Sequence, residues 1–262
     1  MVRALRLFFC FVRFSFSRAL QFRIDFFFRI VMDIVFYIVN ILFYDVIYKH
    51  TDLIGGWDRS QMMVFVAGFL LIDALNMTLF ADNLSDISFL VNRGDLDYYL
   101  IRPVSSLFFL SLRSFAANSF VNLLMAAGLL VYALLHCSTP ATPLSILIFI
   151  LFIFNGTYLR YLVRMLTIIP VFWLHSSRGL EMMFYHLVRF LERPDAIFTG
   201  AVRIILTTIL PFALMVSFPA RLLLDGFNPW IVLHITAVTV LLTLLVIFWW
   251  RRGLRAYSSA SS

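Results

Sequence analysis

Four pairs of polar side chains stand at helical spacing inside otherwise apolar stretches of this 262-residue chain. Chemistry in such surroundings is confined to pairing, solute binding or proton movement. Asp33 and Asn40 are seven apart with Tyr37 between them, Asp73 and Asn76 three apart, Asn118 and Asn122 four apart, and Arg160 and Arg164 four apart. Each interval puts its pair on one helix face. The two arginines can neutralise Asp33 or Asp73 across helices, or hold an anionic group such as a phosphate in guanidinium forks. A second cluster, residues 85–106, reads SDISFLVNRGDLDYYLIRPVSS and mixes charges with large aromatics.

Other chemistries have no residues to carry them. His50, His136, His175, His186 and His234 are scattered, and Cys10 and Cys137 lack metal-ligand spacing, so no metal is expected. No Ser/His/Asp set can be argued. The single lysine, Lys49, lies between Tyr48 and His50, which excludes a phosphate loop ending in Gly-Lys-Ser/Thr. No cofactor is therefore expected on this chain. If ATP drives it, another chain binds the ATP.

The elements that must position these groups are transmembrane helices. The chain is 62% apolar and 13% charged, with mean hydropathy +0.94, against roughly a quarter charged in soluble domains. A soluble core cannot absorb that surface, whereas a bilayer accepts about 20 apolar residues per helix. The fold class is thus an all-α polytopic membrane protein with room for about six transmembrane helices and little left for a soluble catalytic domain. The net charge of +7 reflects arginines on cytoplasmic flanks rather than nucleic-acid binding.

Spans are expected at about 26–48, 62–84, 115–136, 144–174, 196–218 and 230–250. Residues 1–23 resemble a signal peptide only superficially, because arginines interrupt the apolar run. Their pattern predicts an N-terminal interfacial helix with arginines toward membrane lipids. Residues 178–193 have a polar stripe at Arg178, Glu181, Tyr185, Arg189 and Glu192, which reads as a cytoplasmic amphipathic helix. With both termini inside (N-in/C-in), fifteen arginines fall on cytoplasmic segments, Arg189, Arg193 and Arg203 among them. Only Lys49, Arg59 and Arg221 fall outside.

On this topology three stretches become recognisable. NRGDLDYYLIRPVS at 92–105 resembles the signature of ABC-2 family permeases. RPDAIFTGAVRIILTTILPFALMVSFPARLLL at 193–224 is similar to a second signature of the same subgroup, and RRGLRAYSSAS at 251–261 to its usual ending. The resemblance spans most of the chain. It implies a single transmembrane domain of ABC-2 exporter type in the bacterial cytoplasmic (inner) membrane. The implied partners are two copies of a nucleotide-binding ATPase subunit, which would hold ATP and Mg, and a second permease, identical or homologous. It implies no substrate.

The resemblance also makes the 85–106 segment a coupling helix that receives the ATPase. Asp86, Arg93, Asp95, Asp97 and Arg102 would then supply polar contacts, Phe89, Leu96, Tyr98 and Tyr99 apolar anchors, and Gly94 a sharp bend. The plain alternative is a solvated loop. Asp33, Asn40, Asp73, Asn76, Arg160 and Arg164 remain candidates for either a transport path or intramembrane pairing. By resemblance, the apolar run 222–224, bracketed by Pro219, Gly226 and Pro229, would belong to a re-entrant hairpin. The competing function is a proton-coupled secondary transporter using Asp33 and Asp73, although such proteins usually show internal repeats, which are not found here.

Overall fold

The computed structural model describes residues 23–116 and 119–257, so all but the last residue of the interfacial helix expected at 1–23, and Asn118, lie outside the described residues. Every regular element of any length among these is helical. α1 spans Arg23–Ile47. α2 runs unbroken for 35 residues, Arg59–Arg93, with a π-helical segment at Met77–Ala81. Asp58 starts it: its carboxylate accepts from the backbone of Ser60 at 2.7 Å and Gln61 at 3.0 Å, and the Gln61 side chain accepts from the Asp58 amide at 2.9 Å. That reciprocal cap satisfies donors that the first turn would otherwise orphan. Gly94, at φ 80°, ends the helix in a left-handed conformation that suits glycine.

Short helices α3 (Asp97–Leu100) and α4 (Ser106–Leu112) lead to α5 (Ser119–Leu135). α6 covers Pro143–Leu174, with Thr142 as cap, Pro143 in the first turn and Pro170 before a last turn. α7 (Arg178–Leu187) continues as a 3₁₀ turn through Glu192. α8 (Gly200–Thr208), α9 (Phe212–Met215) and α10 (Ser217–Leu224) follow, and α11 is Pro229–Ala256.

The core forms around α2 and α6. In the most apolar stretches of these two helices 67% and 50% of residues are buried, against 17% in α1 and 11% in α11, so α1 and α11 present most of their surface outward. Lipid offers apolar side chains no reason to leave it, so close approach and polar contacts hold such bundles together. At Gly68 a Cβ would come within 3.1 Å of Phe149 and 3.3 Å of Ile153, and Gly156 lies directly against the carbonyl of Met215.

Among the described residues four helices, α1, α2, α6 and α11, are long and apolar enough to cross a membrane. The third expected span, 115–136, holds the single apolar helix α5 of 17 residues, and residues 113–116, between it and α4, are not helical. The expected fifth span, 196–218, is broken into α8, α9 and the start of α10, of nine, four and eight residues. Instead the chain from Ser177 to Ala196 runs the height of the bundle. Ser177 Oγ meets Ser88 Oγ at 2.6 Å near one end of α2. At the other end, a Cβ on Gly55 would lie 2.6 Å from Ala196 Cβ.

The polar stripe of 178–193 misleads because part of it faces protein. Glu181 accepts from Ser88 and Ser177, and Tyr185 from Arg164, while Met182 and Met183 are about half exposed. Arg178, Tyr185 and Arg189 are themselves exposed, so the stripe is divided between protein contacts and open surface. Beyond it α8–α10 make a hairpin whose tip, Met215–Val216, reaches Gly156 and Gly68. Its base is tied by Asp195, which accepts two bonds from Arg221 at 2.7 and 2.8 Å and one from Arg203 at 3.2 Å. The re-entrant segment is thus larger than the run at 222–224. Arg203 and Arg221 meet on one carboxylate, so they cannot be counted on opposite sides.

Candidate functional site

Two polar assemblies occupy the bundle. The first is a seam between α2, α6 and α7. Arg160 Nη1 pairs with Asp73 Oδ1 at 2.6 Å, with 10% and 15% of the two side chains exposed. One turn on, Arg164 donates to Ser85 Oγ at 2.8 Å and Tyr185 Oη at 3.1 Å, and among the described residues it forms no ion pair. The spacing of four that flagged the arginines does put them on one face, but they find different partners.

The remaining seam candidates disperse. Asn76 is buried on α2, with its Nδ2 unpartnered among the described residues. Asn40 bonds its own helix, at Phe36 O, 2.9 Å away. Asp33 is half-buried on α1. Tyr37, noticed in sequence only as lying between Asp33 and Asn40, hydrogen-bonds Asn122 of α5 and ties the first helix to the bundle.

One element of this seam was not expected. The π turn at Met77–Ala81 faces the irregular stretch between α4 and α5, and their backbone groups satisfy each other. The Ala116 amide donates to Thr78 O at 3.1 Å. Asn83 donates to Leu79 O at 3.0 Å and Ser114 O at 2.7 Å, and accepts from the Ser114 amide at 3.0 Å and hydroxyl at 2.8 Å. Non-helical backbone inside a bundle persists only with such partners. An asparagine near the end of an apolar run is the signal that was available.

The second assembly is the end of α2 and the turn beyond it. Asp86 pairs with Arg113 at 2.5 Å, and Arg113 also donates to Tyr99 Oη at 2.5 Å. Arg93 lies 4.0 Å over Phe89, and Arg102 lies 4.9 Å over Phe109 while donating to Tyr98 O at 3.3 Å. Leu96 is fully buried and Tyr99 half-buried, so these two fasten the turn to the bundle instead of facing outward. Phe89, Tyr98 and Ile101 point away, and Ile101, which sequence reasoning passed over, is 81% exposed. Asp95 and Asp97 are half-buried. Burial first, then the charge of Asp97, pushes the nearby Tyr257 phenol above its ordinary value. The turn is therefore rigid, charged at its edges and apolar at its apex.

The architecture defines a class: a polytopic helical membrane protein whose longest core helix ends in a rigid, exposed turn. A family model described as ABC-2 family transporter protein matches residues 34–261. The chain belongs to that family, and is thus a membrane permease component of an ABC-type transport system rather than its catalyst. No protein of curated function and no solved structure matches it.

Proposed function

We propose that this chain is the permease subunit of an ATP-driven exporter, moved by a separate ATPase that docks on the α2–α4 turn. The single observation behind the reading is mechanical. Of the exposed apex, Phe89 belongs to α2, the helix that runs unbroken through the core, and Tyr98 and Ile101 lie on the turn directly beyond its end, which Leu96 fastens to the bundle, so displacement of the apex is transmitted to the core. The ion pair of Asp86 with Arg113 and the burial of Leu96 keep the turn from yielding locally.

On this reading two ATPase copies hold ATP and Mg on the cytoplasmic side, together with both termini of this chain, in a bacterial inner membrane. A second permease, identical or homologous, packs beside the outward surface of α1, and the path runs between the two. The proton-driven alternative loses support because Asp73 is already engaged by Arg160.

The test is purification from the native membrane in mild detergent, with identification of what co-purifies and an ATPase assay. A stoichiometric nucleotide-binding subunit is expected, released by the D95K/D97K double variant and by Ile101→Glu. Ile101→Glu removes an apolar contact at the centre of the interface, worth about 2 kcal/mol or more, and D95K/D97K reverses the charge at its edge. A stable, transport-competent chain without any such subunit would sink the proposal.

A further inference from the structure

A cavity of about 540 Å³ opens between the ends of α1, α2 and α5, well away from the α2–α4 turn and from the Asp73–Arg160 pair. Its size suits a small organic ligand. Ile41, Met63 and Leu129 give it apolar walls, and its other sides are Tyr44, Tyr48, Tyr132 and His136. The phenol groups of the first two are used elsewhere: Tyr44 donates to Glu192 O at 2.5 Å and Tyr48 to Trp57 O at 2.8 Å. These residues therefore contribute ring surface to the cavity more than hydroxyls. Tyr132 and His136 stack at 4.3 Å, and the His136 Nδ1 donates to Tyr132 O at 2.9 Å, which fixes the ring.

One carboxylate, Asp45, lines this aromatic wall, with 26% of its side chain exposed. Its counter-ion is Arg59, whose side chain is 70% exposed. An arginine so placed keeps most of its hydration when it leaves, whereas the carboxylate stays among the rings. The arrangement is thus an anionic, aromatic recess closed by an exchangeable cation, and aromatic faces attract cations.

The geometry points to a binding site for amphipathic organic monocations, whose charged centre replaces Arg59 at Asp45 and whose apolar body lies against Met63, Leu129 and the tyrosine rings. This inference does not rest on the ATPase reading, since binding to the recess requires neither nucleotide nor partner.

The experiment is equilibrium dialysis of radiolabelled tetraphenylphosphonium against the full chain in nanodiscs of zwitterionic lipid. Tetraphenylborate serves as the anion of like shape. The cation is expected to bind saturably at one site per chain, and the anion to show no saturable binding. Asp45→Asn is expected to weaken the cation about tenfold or more, as for loss of a contact to a charged group. Arg59→Ala is expected to tighten it several-fold, because the competing guanidinium is gone. Both variants break the same internal ion pair, so a merely structural role would move them in the same direction. Equal binding of the anion, no binding of the cation, or a shift of the same sign in both variants would each overturn the proposal.

Discussion

Asp73 and Arg160 show how far a residue can be read in isolation. Charges in an apolar run announce themselves, because a lone charge in lipid is costly, and their expected pairing needed only a partner within reach. Which acid reached Arg160 depended on helix rotation, which spacing within one helix does not specify. Asp195 announced nothing: it lies beyond the 3₁₀ turn, in a stretch that reads as the start of a span, yet it is 1% exposed and gathers two arginines. The Asp73–Arg160 pair carries a definite prediction. Asp73→Asn leaves a buried guanidinium uncompensated and is expected to cost about 3–5 kcal/mol. The double variant D73N/R160M removes the stranded charge and is expected to recover a large part of that loss. Thermal unfolding of the three proteins in one detergent measures both effects, and a double variant no more stable than Asp73→Asn would show that the pair is not the source.

At the scale of elements, long helices were legible and their interruptions were not. α1, α2, α6 and α11 follow from length and apolarity, whereas the π turn of α2 and the gap before α5 arise from Asn83 and Ser114 meeting across 31 residues. The stripe on 178–193 is a true periodicity whose surroundings spacing does not specify, because a polar face packs on polar partners inside a membrane as readily as it faces water. The start of α2 supports a test by pH. Partial burial raises the Asp58 carboxyl, but bonds from the Ser138 hydroxyl, at 2.6 Å, the Gln61 amide, and the Ser60 hydroxyl and amide outweigh it and hold the group below its ordinary 3.8. A value lower in the folded than in the unfolded chain stabilises the fold above the unfolded value, and the benefit disappears as pH falls through the folded one. The melting temperature is expected to drop on acidification below about pH 4. Asp58→Asn, less stable at pH 7, is expected to show a shallower drop over that window. Parallel curves for the two proteins would remove Asp58 from the account.

For the whole molecule, the arginine asymmetry survives a change in its terms. Arg193 lies 4.3 Å over Phe43, near the end of α1, and Arg203 shares Asp195 with Arg221, so both move to the end of the bundle that carries Gly55. Among the described residues eight arginines, Arg23, Arg93, Arg102, Arg113, Arg178, Arg251, Arg252 and Arg255, then stand toward the other end against five basic residues here, and the bias still favours termini inside the cell. The revision has a testable consequence, because the two arrangements put residue 197 on opposite sides of the membrane. If 178–193 lay on the cytoplasmic surface, Ile197 would stay on that side. If the segment runs the height of the bundle, Ile197 emerges beside the loop that holds Asp52. Asp52, Ile101 and Ile197 are all exposed and can be replaced singly by cysteine in a chain lacking Cys10 and Cys137. A membrane-impermeant maleimide applied to intact cells is expected to label positions 52 and 197, and position 101 only after permeabilisation. Labelling of 197 together with 101 would return the fifth crossing to residues 196–218 and require α8–α10 to straighten into a continuous span.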